Sequence, residues 1–104
     1  MGGEGNEEIR GFIERVKKEF EPKAIILFGS RARGEELKDS DYDLVVVSEK
    51  FRGMHFLDRL AKLYELWDLD RDADILAYTP EEFEEKRRQL GVVRRAAEEG
   101  VPLG

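Results

Sequence analysis

The residues with the clearest chemical potential lie in the segment 28–45, which reads FGSRARGEELKDSDYDLV. Gly29 and Ser30 close an apolar run, ten residues follow, and then Asp41 and Asp43 stand one residue apart. A glycine lets the backbone approach a ligand closely, and a serine offers a hydroxyl and an N–H to a phosphate. Two carboxylates at this spacing on a strand share one face, where their repulsion favours a divalent cation between them. The segment therefore predicts a site that holds a nucleoside triphosphate and presents Mg²⁺ to it.

Two arginines and one further aspartate extend this predicted site. Arg31 and Arg33 can supply bidentate positive charge to a triphosphate or to departing pyrophosphate. Asp74 heads a later apolar run, and its Asp-Ile-Leu repeats the Asp-Leu-Val that begins at Asp43. A third carboxylate would complete a site for two metal ions, which together assist the attacking and leaving oxygens of an in-line displacement. Asp72 has the same strand parity as Asp74 and is the alternative.

Each of these features also has a purely structural interpretation. Asp41 could be a turn residue, and Asp43 and Asp74 could be charges at strand ends, since such charges are common in an acidic chain. A Gly-Ser dipeptide by itself is an ordinary turn. The combination is more specific, because the dipeptide ends one apolar run and the paired aspartates begin the next.

The hydrophobic pattern predicts the elements that position these residues. Apolar residues at helical spacing indicate helices, and short continuous apolar runs indicate buried strands. Helices are predicted over 7–20, 55–68 and 80–99, the last one interrupted near Gly91. Strands are predicted over 24–28, 42–47 and 73–78. The order and the length of the links predict a mixed α/β (α+β) fold, with a small mixed β-sheet flanked by helices.

Two helix starts carry more specific signals. Thr79, Pro80 and Glu82 match a capping box with proline at the first helical position. His55, the only histidine, is expected to cap its helix or to lie on the surface rather than to act in catalysis. The helix over 55–68 has a broad apolar face, which we expect to pack in the core, although it could also form part of an interface. That face contains Leu57, Leu60, Ala61, Leu63, Tyr64, Leu66 and Trp67.

Length and composition exclude several classes of protein. The 104 residues predict one domain over 7–104, preceded by a disordered, glycine-rich tail over 1–6. No apolar run approaches the roughly 20 residues that a membrane span needs. The absence of cysteine and of an export signal favours the cytoplasm. A net charge of −6 disfavours non-specific binding to nucleic acid.

The motif resembles a known family. Gly29-Ser30, ten residues and then Asp41-x-Asp43 is similar to the signature of the minimal nucleotidyltransferases of the DNA polymerase β superfamily. The fuller string Gly-Ser-Arg-Ala-Arg-Gly…Ser-Asp-Tyr-Asp-Leu resembles the stand-alone members known as MNT-type antitoxins. The resemblance covers about residues 9–90. It implies a polymerase-β-like nucleotidyltransferase fold, ATP and Mg²⁺ (two ions), and transfer of AMP with release of pyrophosphate.

The resemblance also implies roles for single residues and a partner. Gly29 and Ser30 would hold the triphosphate, Asp41 and Asp43 the metal ions, and Asp74 would help to activate the attacking hydroxyl. Such stand-alone members commonly modify a tyrosine of a HEPN-domain toxin, a helical RNase. The alternatives are a non-catalytic antitoxin that neutralises its partner by contact, and a nucleotidyltransferase acting on a small molecule or RNA. The sequence leaves the formation of a homo-oligomer open.

Overall fold

The protein is described by a computed structural model over residues 9–29, 42–69 and 72–103. Several residues of the sequence predictions lie outside these described residues: Ser30, Arg31, Arg33, Asp41 and the predicted tail over 1–6. Three of the predicted site residues lie inside them, namely Gly29, Asp43 and Asp74. The described part also contains the predicted core elements, so it tests the fold and shows where these three residues lie.

The described chain forms a four-stranded mixed sheet with helices on both faces, which confirms the predicted fold class. Its helices are α1 (Arg10–Phe20), α2 (Phe56–Glu65), α3 (Pro80–Arg87) and α4 (Val92–Glu99), with a 3₁₀ turn at Glu49–Phe51. Its strands are β1 (Ala24–Phe28), β2 (Tyr42–Val47), β3 (Ala73–Tyr78) and β4 (Val101–Pro102). The strand order is β3-β2-β1-β4. Strand β1 runs antiparallel to β2 and β4, whereas β2 and β3 are parallel and joined through α2.

Side-chain alternation along the strands produces two cores, one on each face of the sheet. Alternate strand residues such as Ile25, Leu44 and Ile75 pack against α1 and α2. The residues between them, such as Val45 and Val47, pack against α3 and α4. Because the strands are apolar on both faces, they appear in the sequence as continuous apolar runs rather than as alternating ones.

Strand β4 was not predicted. It contains only Val101 and Pro102, which pair with Leu27 and Ile26 of β1. The backbone N–H of Leu103 also donates to the carbonyl of Ile25 at 2.7 Å. A two-residue strand has no periodicity to detect, and proline is tolerated there because β4 is an edge strand. Its existence depends on the tertiary approach of the chain to β1.

Helix α2 is shorter than predicted, and its buried face is different. Leu57 and Tyr64 are exposed by 64% and 41%, whereas Arg59 and Leu63 are buried. The expectation of core packing is therefore confirmed for Leu60, Leu63, Leu66 and Trp67 and wrong for Leu57 and Tyr64. Trp67 lies beyond the helix and packs edge-on against Phe12, with ring centroids 4.9 Å apart. Leu66 and Trp67 are apolar because they pack against the core beyond the end of the helix. Their apolar character made the predicted helix continue past Glu65.

The unexpected orientation of α2 satisfies the free edge of β3. Outward-facing backbone groups of an edge strand need partners. The hydroxyl of Tyr64 donates to the carbonyl of Ala73 at 2.7 Å and accepts from the N–H of Ile75 at 3.3 Å. The guanidinium of Arg59 donates to the carbonyl of Ala77 at 3.1 Å. Two polar side chains of α2 thus hold the strand that carries Asp74.

Both predicted helix starts are confirmed. His55 Nδ1 accepts from the N–H of Leu57 at 3.1 Å and so caps α2. Thr79 accepts from the N–H of Glu82 at 3.2 Å, while the Glu82 carboxylate accepts from the N–H of Thr79 at 2.9 Å. The predicted interruption near Gly91 is also confirmed, because this residue separates α3 from α4.

We expect Thr79→Ala to lower the free energy of unfolding by about 1 kcal/mol, because the first turn of α3 loses its side-chain cap. Thr79→Ser keeps the hydroxyl and should retain most of the stability. Urea denaturation of the two variants measures the difference. Equal stabilities of the two variants would show that the cap contributes nothing.

No helix in the described ranges is both long enough and apolar enough to cross a membrane.

Candidate active site

Three strand ends meet at one edge of the sheet and bring the predicted carboxylates together. Phe28, the last residue of β1, is the register partner of Asp43 on β2, and Asp43 is in turn the partner of Asp74 on β3. Register partners on adjacent strands project to the same face, with backbones roughly 5 Å apart. The parallel pairing of β2 and β3 is what places Asp43 and Asp74 side by side, although 30 positions separate them in the sequence.

Gly29 forms the floor beneath one of these carboxylates. Its φ of +80° is in the left-handed region, which glycine adopts without steric cost. A Cβ at this position would lie 2.4 Å from Oδ2 of Asp43 and 3.2 Å from its Cγ. The chain therefore requires glycine here for two reasons, the backbone conformation and the closeness of the Asp43 carboxylate.

Gly29→Ala should reduce catalysis by about 10- to 100-fold, because the added methyl group displaces the Asp43 carboxylate from its position. It should also cost about 1–3 kcal/mol of stability through backbone strain. The matched control is Gly53→Ala, since Gly53 has a φ of +83° and open space around its Cβ position. That control should show the strain without the loss of activity. An equal loss of activity in both variants would contradict the assigned role of Gly29.

A groove of about 550 Å³ extends from the two carboxylates between the sheet and the α3–α4 corner. Asp43 and Asp74 lie at its start. Its floor is apolar and its opposite wall comes from the ends of the two helices. The floor residues are Phe28, Leu76, Tyr78 and Val93, and the wall residues are Lys86, Gln89, Leu90, Gly91 and Val92. An apolar pocket with a few convergent polar groups is typical of a ligand site.

Tyr78 supplies a neutral hydroxyl along this groove. Burial raises the pKa of its phenol above the ordinary value, and the nearby Glu82 carboxylate raises that pKa further. The phenol therefore stays protonated at neutral pH and can act as a hydrogen-bond donor or acceptor for a bound molecule.

The described donors fit a hard divalent cation. Carboxylate oxygens on two adjacent strands are ligands that Mg²⁺ prefers, and this ion usually completes its coordination with water and substrate phosphates. Within residues 9–29, 42–69 and 72–103, no group of three or more potential ligand side chains converges on one point. Asp43 and Asp74 are the two carboxylates that could hold the ion there, and Asp41 lies outside these ranges.

The structure also separates the two candidates for the third carboxylate. Asp74 lines the groove, while Asp72 is exposed just before β3 and is not among the lining residues. The backbone carbonyl of Asp72 accepts from the N–H of Tyr42 at 3.1 Å, so its backbone takes part in strand pairing. The position of Asp74 favours it over Asp72 as the site residue.

Sequence reasoning missed the wall of the groove. Lys86, Gln89 and Leu90 are distant in sequence from the Gly-Ser and Asp-x-Asp motif, and no motif includes them. The one available signal was compositional, because the ten residues 86–95 contain five basic residues and no acidic ones. Their meaning becomes visible only when the corner is placed beside the carboxylates.

Comparison with known proteins agrees with this geometry. The model of the family described as "Nucleotidyltransferase domain" matches residues 9–103. A Haemophilus influenzae protein assigned as the protein adenylyltransferase MntA is 38% identical over 76 residues, which is 71% of this chain and 67% of that protein.

Two solved structures have the same fold. A nucleotidyltransferase candidate from Sulfolobus solfataricus has a TM-score of 0.62 and 24% identity, over 93% of this chain and 82% of that one. A toxin–antitoxin structure with AMP-PNP has a TM-score of 0.55 and 23% identity, over 97% of this chain and 73% of that one. At these identities the two structures support the fold alone. The family match and the MntA relative confirm the resemblance: this chain belongs to the nucleotidyltransferase domain family and is a nucleotidyltransferase.

Proposed function

We propose that this protein transfers AMP from ATP to a tyrosine hydroxyl of a HEPN-type toxin and thereby acts as its antitoxin. The observation that carries the proposal is the side-by-side placement of Asp43 and Asp74 above Gly29, at the start of an open groove. We further propose that residues 7–104 form the catalytic domain and that the reaction takes place in the cytoplasm.

The proposed reaction is an in-line displacement at the α-phosphorus of ATP. The acceptor oxygen forms a bond to that phosphorus, and the bond from the phosphorus to the oxygen that bridges to the β-phosphate breaks. Pyrophosphate leaves with that bridging oxygen. The proton of the acceptor hydroxyl passes to the Asp74 carboxylate and then to water. When bound, Mg²⁺ neutralises charge on the phosphates and on the leaving group.

The residues of this chain have separate parts in that reaction. Gly29 and Ser30 would bind the phosphates through backbone N–H groups and the serine hydroxyl, and Arg31 and Arg33 would bind the departing pyrophosphate. Asp41 and Asp43 would hold the metal ions. Asp74, on the neighbouring strand, would orient the acceptor hydroxyl and accept its proton. The nucleotide would thus approach from the β1 side and the acceptor from the β3 side of the carboxylates.

The choice of a protein acceptor has two supports besides the motif. The MntA relative is described as a protein adenylyltransferase, and one structural neighbour is a toxin–antitoxin assembly with a nucleotide analogue. A HEPN partner and a tyrosine acceptor follow from the resemblance of the motif.

The direct test is incubation with ATP labelled on the α-phosphate, Mg²⁺ and a HEPN-domain protein from the same organism. We expect label on that protein, removal of Mg²⁺ by EDTA to abolish it, and mass spectrometry to place AMP on tyrosine. Asp41→Asn and Asp74→Asn should abolish labelling. Labelling by Asp41→Asn as strong as by the wild type would contradict the metal-site assignment. Neutralisation of the toxin that survives Asp43→Ala would instead support the non-catalytic antitoxin.

A further inference from the structure

The corner between α3 and α4 concentrates positive charge in an acidic protein. Residues 86–95 (KRRQLGVVRR, from here on the 86–95 surface) contain five of the chain's 18 lysine and arginine residues and no aspartate or glutamate. The chain as a whole has a net charge of −6. The reaction proposed above assigns no role to this charge.

Helix stability explains only part of the arrangement. Lys86 and Arg87 lie in the last turn of α3, where the helix dipole favours cations. Arg94 and Arg95 lie in the first turn of α4, which contains no acidic residue, and there the dipole disfavours positive charge. A sequence that opposes the stability of its own helix points to a functional constraint at that place.

Local ion pairs leave much of the charge uncompensated. Arg87 lies 3.4 Å from Glu84, and Arg94 lies 3.3 Å from Glu98. All four side chains are largely exposed, so these pairs contribute little. Three further cations form no ion pair within the part of the chain that the structure describes: Lys86, Arg88 and Arg95.

The same surface exposes aliphatic side chains. Leu90 is 87% exposed and Val92 is 57% exposed, and both line the groove that begins at Asp43 and Asp74. A second depression of about 350 Å³ between the two helices is lined by Arg87, Arg88 and Arg94 together with Glu84, Ala97 and Glu98. The 86–95 surface therefore runs from the groove, over Leu90, to a depression lined by three arginines and two glutamates.

We infer that the 86–95 surface binds an acidic segment of the acceptor protein, with an apolar side chain of that segment packed against Leu90 and Val92. This inference rests on the proposed transfer to a protein. A segment anchored at Leu90 follows the groove toward Asp74, which places a neighbouring hydroxyl beside the carboxylate that would receive its proton. The positive charge attracts acidic side chains of the segment. At 0.1 M salt this attraction acts only over about 10 Å, because dissolved ions screen it at longer distances.

A protein segment fits this surface better than a nucleic acid does. Single-stranded nucleic acids are bound by aromatic side chains that stack on bases, whereas the exposed apolar residues here are leucine and valine. Aliphatic contacts flanked by basic groups are complementary to an acidic, apolar peptide.

The test is selection from a displayed library of nine-residue peptides with a fixed central tyrosine. We expect the selected sequences to be enriched in Asp, Glu and large apolar residues. The best peptide, labelled with fluorescein, should bind the wild type and lose at least about tenfold in affinity with Arg88→Glu/Arg94→Glu and with Leu90→Ser. Lys17→Glu/Lys18→Glu makes the same charge change on α1, on the opposite face of the sheet, and should leave the affinity unchanged.

Several outcomes would overturn the inference. They are enrichment of basic peptides, affinities insensitive to the 86–95 variants, and equal loss in the α1 control. Tighter binding of a labelled 20-nucleotide RNA than of the peptide, with its loss in Arg88→Glu/Arg94→Glu, would assign the surface to nucleic acid instead. A rise in the KM for ATP alone would assign it to the nucleotide.

The failure of this inference and that of the proposed function can be told apart. AMP transfer to the HEPN-domain protein that is unaffected by Arg88→Glu/Arg94→Glu and Leu90→Ser would leave the function standing and refute the inference. Peptide binding that depends on these residues, without AMP transfer to any protein, would support the binding surface and refute the proposed function. If both are right, the two variants raise the KM for the acceptor protein and leave the KM for ATP unchanged.

Discussion

Asp43→Asn is expected to reduce AMP transfer by roughly 100- to 1,000-fold, which corresponds to about 3–4 kcal/mol in the activation barrier. Asparagine keeps the shape of the side chain and removes its charge. The site then lacks a carboxylate that would hold the cation beside the phosphates. The side chain lies against Gly29 and beside Asp74, at the start of the groove. Initial rates with α-labelled ATP measure the effect.

Asp72→Asn is the matched control for this variant. It makes the same charge change just before β3, outside the groove, and should retain nearly full activity. Thermal unfolding of both variants should stay close to that of the wild type, so a rate loss cannot be assigned to unfolding. A loss in Asp72→Asn as large as that in Asp43→Asn would mean that the third carboxylate is Asp72 and that Asp74 is misassigned.

Arg59→Ala is expected to lower the free energy of unfolding by about 2–4 kcal/mol. The Arg59 side chain is buried, and its Nη1 lies 2.6 Å from the Glu82 carboxylate. The guanidinium also donates to the carbonyls of Met54 and Ala77, each at 3.1 Å. Removing it leaves the edge of β3 without a partner at Ala77. For a domain of this size, the loss corresponds to a fall of roughly 10–30 °C in Tm.

Lys62→Ala is the control on the same helix, since Lys62 is exposed and forms no ion pair among the described residues. It should change stability by less than about 0.5 kcal/mol. Glu82→Gln should cost less than Arg59→Ala, because Glu82 is partly exposed and the guanidinium keeps its two carbonyl partners. Equal stabilities of Arg59→Ala and Lys62→Ala would refute the role of Arg59.

The contribution of this pair depends on pH in a defined direction. The hydrogen bond from Arg59 holds the pKa of Glu82 below its ordinary value of about 4.3. A carboxyl with a lowered pKa in the folded state stabilises the protein above its unfolded pKa, and the effect is lost as pH falls through the folded pKa. The difference in stability between wild type and Arg59→Ala should therefore be constant near neutral pH and shrink below about pH 4. A difference that grows on acidification would contradict the assignment.

Much of the fold could be predicted from local patterns, because those patterns depend on short-range physics. Helix α1, the first three strands and the capping box of α3 each have a local signal, in hydrophobic period or in side-chain hydrogen bonding. The prediction of element bounds and buried faces failed where a residue contacts a part of the chain that is distant in sequence. Trp67 extended the helical pattern beyond α2 although it packs on Phe12, and no local signal marked Arg59 as the residue that binds the edge of β3.

The sequence by itself determined the family and predicted the chemistry of the candidate site. Gly29 and Asp43 occur in a motif whose spacing indicates phosphates and metal ions, and the short links between elements restrict how its parts can meet. Only the tertiary structure decided that Asp74 lies beside Asp43, that α2 turns Arg59 and Tyr64 toward β3, and that the 86–95 surface borders the groove. The physical reason is that strand pairing and helix docking join residues that are distant along the chain, and local patterns carry no record of such contacts.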